Sequence, residues 1–384
     1  MIYLDNAATT PVRREALEAM WPFLTGAFGN PSSHHRVGEA AAAALLQARR
    51  SVALSLGCRP GDVVFTSGGT EADNLAIKGL ALGALPAASF GGHVITTTIE
   101  HEAVLESCDY LRRRHGFEIT YLHTDAEGRV PADDLRAAIR PETRLVSVHY
   151  ANNEVGTVQP IAQLAAIARA ARVPFHTDAV QAGGWLPLDV NVLGVDALSL
   201  SGHKLGAPPG VGALFVRGRL PLEPLLHGGG QERGKRSGTE NVAGAVACAT
   251  ALALVTTERV EAAQRITLLR NDFIAAVLLD TPAARLTGHP TDRLPGTASF
   301  VFPGTSGEAV LLELERRGIV CSSGSACAAG SDDASHVLTG MGFSDEVART
   351  AVRFTLAAST TAEDTAEAAA SVGAAVEAVA GLGR

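Results

Sequence analysis

Two short polar segments, each closing an apolar run, hold side chains from which chemistry can be built. Val195-Asp196-Ala197-Leu198-Ser199-Leu200 leads into Ser201-Gly202-His203-Lys204, and Phe175-His176-Thr177 leads into Asp178-Ala179-Val180-Gln181. A lysine where a buried strand ends loses its charge by desolvation and becomes an amine nucleophile, as a Schiff base with an aldehyde requires. A buried carboxylate keeps a heterocyclic nitrogen protonated. Pyridoxal 5′-phosphate (PLP) needs both groups, the amine for its aldehyde and the acid for its pyridinium nitrogen.

Other clusters supply what such a cofactor would still lack. Ser67-Gly68-Gly69-Thr70 lies between a strand and a helix, so the backbone N–H groups around Gly69 and Thr70 offer an anion site at a helix N-terminus. By itself a Gly-Gly turn is ordinary, and the segment matches neither a Walker loop nor a dinucleotide fingerprint. Ser201 and His203 add two donors from the lysine's own turn. His101 has two readings, a cap for the helix that follows it or an imidazole stacked on a pyridine ring. Asn153 and Gln181 are either turn residues or uncharged donors beside the ring's phenolic oxygen.

These residues need a scaffold that gathers strand ends. From Val63 to Val216, seven β-rich runs alternate with helical patterns: Val63-Val64-Phe65-Thr66, Val94-Ile95-Thr96-Thr97, Ile119-Thr120-Tyr121-Leu122, Leu145-Val146-Ser147-Val148, Pro174-Phe175-His176-Thr177, Ala197-Leu198-Ser199-Leu200 and Gly212-Ala213-Leu214-Phe215-Val216. This predicts an α/β domain with a mainly parallel seven-stranded sheet flanked by helices, whose ligands bind beyond the carboxyl ends of the strands. Farther on, a helix near residues 258–279, short strands near 298–302 and 352–356 and a helix over 361–380 predict a smaller α+β domain. Thr361-Ala362-Glu363-Asp364 resembles a capping box. The expected division is a large PLP-binding domain over 15–257 and a small domain over 1–14 and 258–384.

Composition excludes several classes. The chain has 384 residues, 46% of them apolar and 19% charged, with a net charge of −8. That length and apolar content can bury a sizeable core. The negative charge argues against direct nucleic-acid binding and against anionic lipid. No signal-peptide pattern opens the chain, so a cytoplasmic location is expected. The longest apolar stretch, residues 242–255, is shorter than the ~20 residues of a membrane span and reads as a buried helix. The five cysteines, Cys58, Cys108, Cys248, Cys321 and Cys327, show neither disulfide nor zinc spacing. Cys248 reads as an inert core residue and Cys58 and Cys108 as structural. Cys327, in Ser323-Gly324-Ser325-Ala326-Cys327-Ala328-Ala329-Gly330, sits among residues too small to make a core.

Taken together, these segments resemble the motifs of the cysteine desulfurases, PLP enzymes of fold type I related to class V aminotransferases. The resemblance is carried by Leu4-Asp5-Asn6-Ala7-Ala8-Thr9-Thr10-Pro11, residues 67–74, Glu100-His101, Asn152-Asn153-Glu154-Val155-Gly156, residues 178–181 and 201–204, His227-Gly228-Gly229-Gly230-Gln231-Glu232-Arg233, Arg236-Ser237-Gly238-Thr239, residues 323–327 and Arg353. It spans nearly the whole chain. It implies that Lys204 binds the cofactor aldehyde, His101 stacks on the ring, Asp178 pairs with its nitrogen, and Gln181 and Asn153 contact its oxygen side. Gly69, Thr70, Ser201 and His203 would hold the phosphate. Thr239 would reach the phosphate of a neighbouring subunit, which implies a homodimer. Arg353, with Asn153, would bind the carboxylate of L-cysteine.

The resemblance also implies the reaction. Lys204 removes the Cα proton, Cys327 as a thiolate takes the sulfur as a persulfide, His101 acts as acid and base toward the thiols, and L-alanine is left. The persulfide then goes to a sulfur-acceptor protein, an iron–sulfur scaffold or a thiolation protein. The segment after Cys327 is similar to the long, group I form. Departures fall at Ala334, where proline is usual, at Glu102, where a basic residue is common, and at Ala357-Ala358. A selenocysteine lyase or another class V aminotransferase-like enzyme would keep Lys204 and Asp178 without needing Cys327. A silent sulfur-assembly subunit would lose the lysine or the cysteine, and both are present. No metal site is expected.

Overall fold

The computed structural model describes residues 1–84, 90–323 and 334–382. After a two-residue strand β1 (Ile2–Tyr3), the seven apolar runs appear as β2 (Val63–Thr66), β3 (Gly92–Thr97), β4 (Phe117–Leu122), β5 (Thr143–Ser147), β6 (Phe175–Asp178), β7 (Ala197–Ser201) and β8 (Gly212–Val216). They form one sheet in the order β2-β8-β7-β6-β5-β3-β4. The pairs from β4 to β7 are parallel, and β8 runs antiparallel to both β7 and β2. Strands β2, β6, β7 and β8 are buried along their whole length. Burial on both faces is why β2 and β8 read as nearly continuous apolar runs rather than as alternations.

The remaining strands are β9 (Arg285–Leu286), β10 (Thr297–Val301), β11 (Ile319–Val320) and β12 (Ala351–Thr355). An antiparallel sheet has the order β12-β10-β9, and β1 pairs in parallel with β11. A second core, built on Phe273, Phe300, Phe302 and Phe354, lies under this sheet. Phe273 and Phe354 meet edge-on with centroids 5.1 Å apart, while Phe300 and Phe302 are stacked. The helix Ala362–Leu382 begins with a reciprocal cap, Asp364 N–H to Thr361 Oγ1 at 3.1 Å and Thr361 N–H to Asp364 Oδ2 at 2.8 Å.

One element differs from expectation. Residues 242–255 and 258–279 are a single helix, Val242–Asp280, of 39 residues. Nothing between them breaks a helix: Thr256 and Thr257 turn their hydroxyls back onto the carbonyls of Leu252 and Ala253, at 2.7 and 3.0 Å. Length and composition would let this helix cross a membrane. Its first half nevertheless packs into the core of the large sheet through Cys248 and Leu252, and its second half into the other core through Ile266, Phe273 and Val277. The division expected at residue 257 falls inside it.

Candidate active site

The carboxyl ends of β2, β3, β6 and β7 converge on one cavity of about 450 Å³. It is lined by Gly69 and Thr70 after β2, His101 after β3, Asp178 at the end of β6, and Ser201, His203 and Lys204 at the end of β7. The helix Gly69–Gly83 starts at this cavity, so its unpaired first-turn N–H groups face it. Gly69 is required by close approach: a Cβ there would stand 2.8 Å from Val180 Cγ2 and 3.2 Å from Ser201 Cβ. Glu71, in the same turn, does not oppose an anion. Burial alone would raise its carboxyl, but Arg236 at 2.8 Å and the Ser67 N–H outweigh burial and hold it below the usual range.

Lys204 closes the short 3₁₀ turn Gly202–Lys204. Its Nζ donates to the carbonyls of Ala7 and Ala8, the latter at 2.6 Å. That N-terminal segment is itself tied down by Thr355 Oγ1, which accepts the Ala7 N–H at 2.9 Å, and by Gln181 Nε2, which donates to the Ala7 carbonyl at 3.0 Å. A second cavity of about 490 Å³ meets Lys204 on the Ala7 side and is lined by Gln181, Trp185, Arg259 and Leu356 among others. The amine therefore stands between two chambers.

His101 caps a helix and also lines the cavity. Its Nδ1 accepts the Ala103 N–H at 3.0 Å, capping the helix Glu102–His115, while the ring lines the cavity. Asp178 is buried, and its Oδ1 accepts the Val180 N–H at 2.8 Å. Burial raises its pKa, with His101 and the Val180 N–H pulling the other way. His203, whose Nδ1 lies 3.1 Å from Thr9 Oγ1, is pushed down to about 4 by burial and by Lys204, so it meets the cavity as a neutral ring.

Four predicted residues lie off this cavity: Gln181, which lines the second one, and Arg353, Asn153 and Thr239. Arg353, on β12, is 2% exposed and donates to Asp5 Oδ1 and to the Asn153 carbonyl, both at 2.8 Å. Asn153 enters the arrangement through that carbonyl. Thr239 is exposed and lines neither cavity. Cys327 lies outside the described residues. The other four cysteines have thiols pushed up to about 12, by burial above all, and so are protonated and unreactive near neutrality.

Sequence reasoning missed Asp73, buried one turn into the phosphate-side helix, with its Oδ1 3.7 Å from His176 Nε2. It also missed the buried contact between Glu100 and His149. The available signal was positional: Asp73 follows the Gly-Gly turn by one helical turn, and His149 follows the β5 run directly.

The residue set fits PLP: a cradle a Cβ would fill, first-turn N–H groups with two side-chain donors for phosphate, a buried acid, an imidazole and a strand-end lysine. Fold and site thus define a fold type I PLP enzyme. The chain matches the Aminotransferase class-V family over residues 2–367. It is 47% identical over 363 residues to "Cysteine desulfurase IscS" of Dictyoglomus turgidum, covering 94% of this chain and 91% of that protein. A solved "NIFS-LIKE PROTEIN" superposes with a TM-score of 0.90 at 36% identity, covering 97% of this chain and 98% of that one. Another, "SspA in complex with cysteine", gives 0.81 at 39% identity, covering 93% and 99%. The chain belongs to the class V aminotransferase family and, within it, to the PLP-dependent cysteine desulfurases.

Proposed function

We propose that this chain, a PLP-dependent cysteine desulfurase, takes the sulfur of L-cysteine as a persulfide on Cys327, releases L-alanine and hands the sulfur to an acceptor protein. The observation that carries the reading is the single cavity that collects phosphate turn, imidazole, acid and lysine from four strand ends. Gly69, Thr70, Ser201 and His203 would hold the phosphate, Asp178 the ring nitrogen, His101 the ring face, Gln181 and Asn153 the oxygen side, and Lys204 the aldehyde. Bound there, PLP supplies an electron sink for the substrate's Cα.

The chain's own residues do the rest. Arg353 and Asn153 bind the cysteine carboxylate. The Lys204 amine, once displaced by the substrate, takes the Cα proton. Cys327 attacks the substrate sulfur as a thiolate: the S–S bond forms as the C–S bond breaks, the carbon keeps the electron pair and is later protonated, and His101 moves protons to and from the thiols. Cys327 is the thiol left for this task once the four whose thiols are pushed up to about 12 are set aside. Thr239, exposed on its own subunit, serves the site of a partner in a homodimer. The proposed setting is the cytoplasm, the proposed acceptor an iron–sulfur scaffold or a thiolation protein, and the proposed division a large domain (15–257) and a small one (1–14, 258–384).

The test is Cys327→Ala. That variant should bind PLP and keep its visible absorbance, trapped on Lys204 by borohydride, while sulfide release from cysteine is lost. Full sulfide turnover by Cys327→Ala would overturn the assignment. Mass spectrometry of the wild type after cysteine should find the extra sulfur on Cys327.

A further inference from the structure

At the cofactor cavity, the large sheet and the segments packed on it bring together a group of buried ionisable side chains: Asp73, Glu100, His149, His176 and Asp178. The group's geometry follows from the β5–β6 ladder. Ser147 pairs with His176 in parallel register, and their side chains meet at 2.9 Å, so both face the same way. The backbone bonds continue past the strand, with Val148 N–H to the His176 carbonyl at 3.1 Å and Tyr150 N–H to the Asp178 carbonyl at 2.8 Å. Two residues on, His149 therefore stands opposite Asp178 on the same face, at the ~4.8 Å spacing of neighbouring strands. On its other flank, His149 Nδ1 lies 3.0 Å from Glu100 Oε1, close enough for an ion pair though not aligned as a hydrogen bond. Its Nε2 has no hydrogen-bond partner among the described residues.

Glu100 has the surroundings of a carboxylate. It is fully buried, accepts the Thr97 hydroxyl at 2.8 Å, and accepts the His149 N–H on both oxygens at 3.0 and 3.1 Å. The Thr97 oxygen also accepts the Ile99 N–H, which leaves the hydroxyl proton available to Glu100. A buried anion of this kind needs a cation. His176 is not that cation: Ser147 and Ser199 hydroxyls hold its two nitrogens, and burial pushes it down to about 4. Asp73 is raised well above the usual range, by burial first and then by the neighbouring Asp178 charge. His149 moves the other way. Burial lowers it, but the charge and contact of Glu100, together with Asp178, outweigh burial and raise it. The other titratable neighbours of Glu100 are Cys108, protonated, His101 next in sequence, and His336, whose Nε2 sits 2.9 Å from the Glu100 carbonyl.

We propose that His149 is a positioning residue of the cofactor site: an imidazolium paired with Glu100 that balances the buried group and so keeps the adjacent Asp178 a carboxylate for the ring nitrogen. The inference rests on the PLP reading above. With His149 charged, Glu100 is matched, and the charge of Asp178 is left for a pyridinium to match. Without that charge, Glu100 and Asp178 are two uncompensated anions side by side, and one must take a proton.

The test uses holoenzyme loaded with PLP carrying ¹⁵N in the ring, as wild type, His149→Gln and the Glu100→Gln/His149→Gln double variant, followed by NMR from about pH 6 to about pH 9. His149→Gln should lower the ring-nitrogen titration by about one pH unit or more, and the double variant should recover most of it. With cysteine, kcat of His149→Gln should fall about tenfold while KM changes less than about twofold. A ring-nitrogen signal identical to wild type in His149→Gln overturns the inference, as does a double variant no better than the single, which would make the residue's role packing alone. Should His149→Gln fail to fold, ¹³C,¹⁵N-histidine labelling of the wild-type holoenzyme decides. A doubly protonated His149 ring at about pH 8 supports the inference, and a singly protonated one overturns it. Failure of the wild type to bind PLP would overturn the cofactor reading instead.

Discussion

The two sheets meet their charges in opposite ways. At the end of β6, Asp178 is buried with an N–H group for company and, among the described residues, no lysine or arginine in ion-pair contact. On β12, Arg353 is equally buried but already holds Asp5 and the Asn153 carbonyl. The first arrangement costs free energy until a cation arrives, which biases the site toward a protonated heterocycle. The second is already engaged from within the chain, so a substrate carboxylate bound by Arg353, as proposed, would have to share or displace Asp5. One sheet is shaped for a resident group, the other for a visitor that exchanges.

The contrast can be broken by removing its members in turn. The largest loss is expected for Lys204→Ala, which should abolish borohydride trapping and lower alanine formation by about a thousandfold or more. Asp178→Asn should follow with a loss of about a hundredfold in kcat, the worth of one charge-assisted hydrogen bond near 3 kcal/mol, measured at saturating cysteine. If Asp178→Asn turned over normally, the buried acid would have no part in cofactor chemistry.

Smaller effects sharpen the other half. Asp5→Asn frees one arm of Arg353 while keeping a hydrogen bond, so KM for cysteine should fall a few-fold and stability by about 1–2 kcal/mol in urea unfolding. An unchanged KM would mean that Arg353 stays on the segment that carries residue 5.

A last effect concerns pH and the fold itself and leaves turnover aside. His176 is ordinarily protonated below about 6.5 but is pushed down to about 4 in the fold. The unfolded chain therefore binds the extra proton first. Stability attributable to this ring is complete above about pH 6.5 and is lost as pH falls toward 4, up to about 3 kcal/mol. Asp73 and Asp178, shifted upward, act with the opposite sign. The diagnostic is thus the difference between wild type and His176→Asn in urea unfolding at several pH values, which should narrow as the pH falls. A constant difference would mean that His176 does not titrate there.

Much of this was legible in the chain. Val63-Val64-Phe65-Thr66 and Gly212-Ala213-Leu214-Phe215-Val216 match β2 and β8 residue for residue, because strands buried on both faces advertise themselves. Gly69, His101, Asp178 and Lys204 were legible for a related reason: each polar group directly follows an apolar run, and parallel strands bring their ends together. What stayed hidden depends on pairing across long separations. Nothing local to Arg353 announces Asp5, 348 positions away. His149 needs the β5–β6 register before it faces Asp178. The break expected near residue 257 came from a change in composition, which two threonines bridge without a change in backbone.

The helix Val242–Asp280, at ~1.5 Å per residue, is a rod of about 58 Å. Because its two ends are embedded in different cores, it works as a splint. The strand that carries Arg353 cannot swing far from the turn that carries Lys204 without bending that splint. Cysteine must therefore thread into a gap of nearly fixed width.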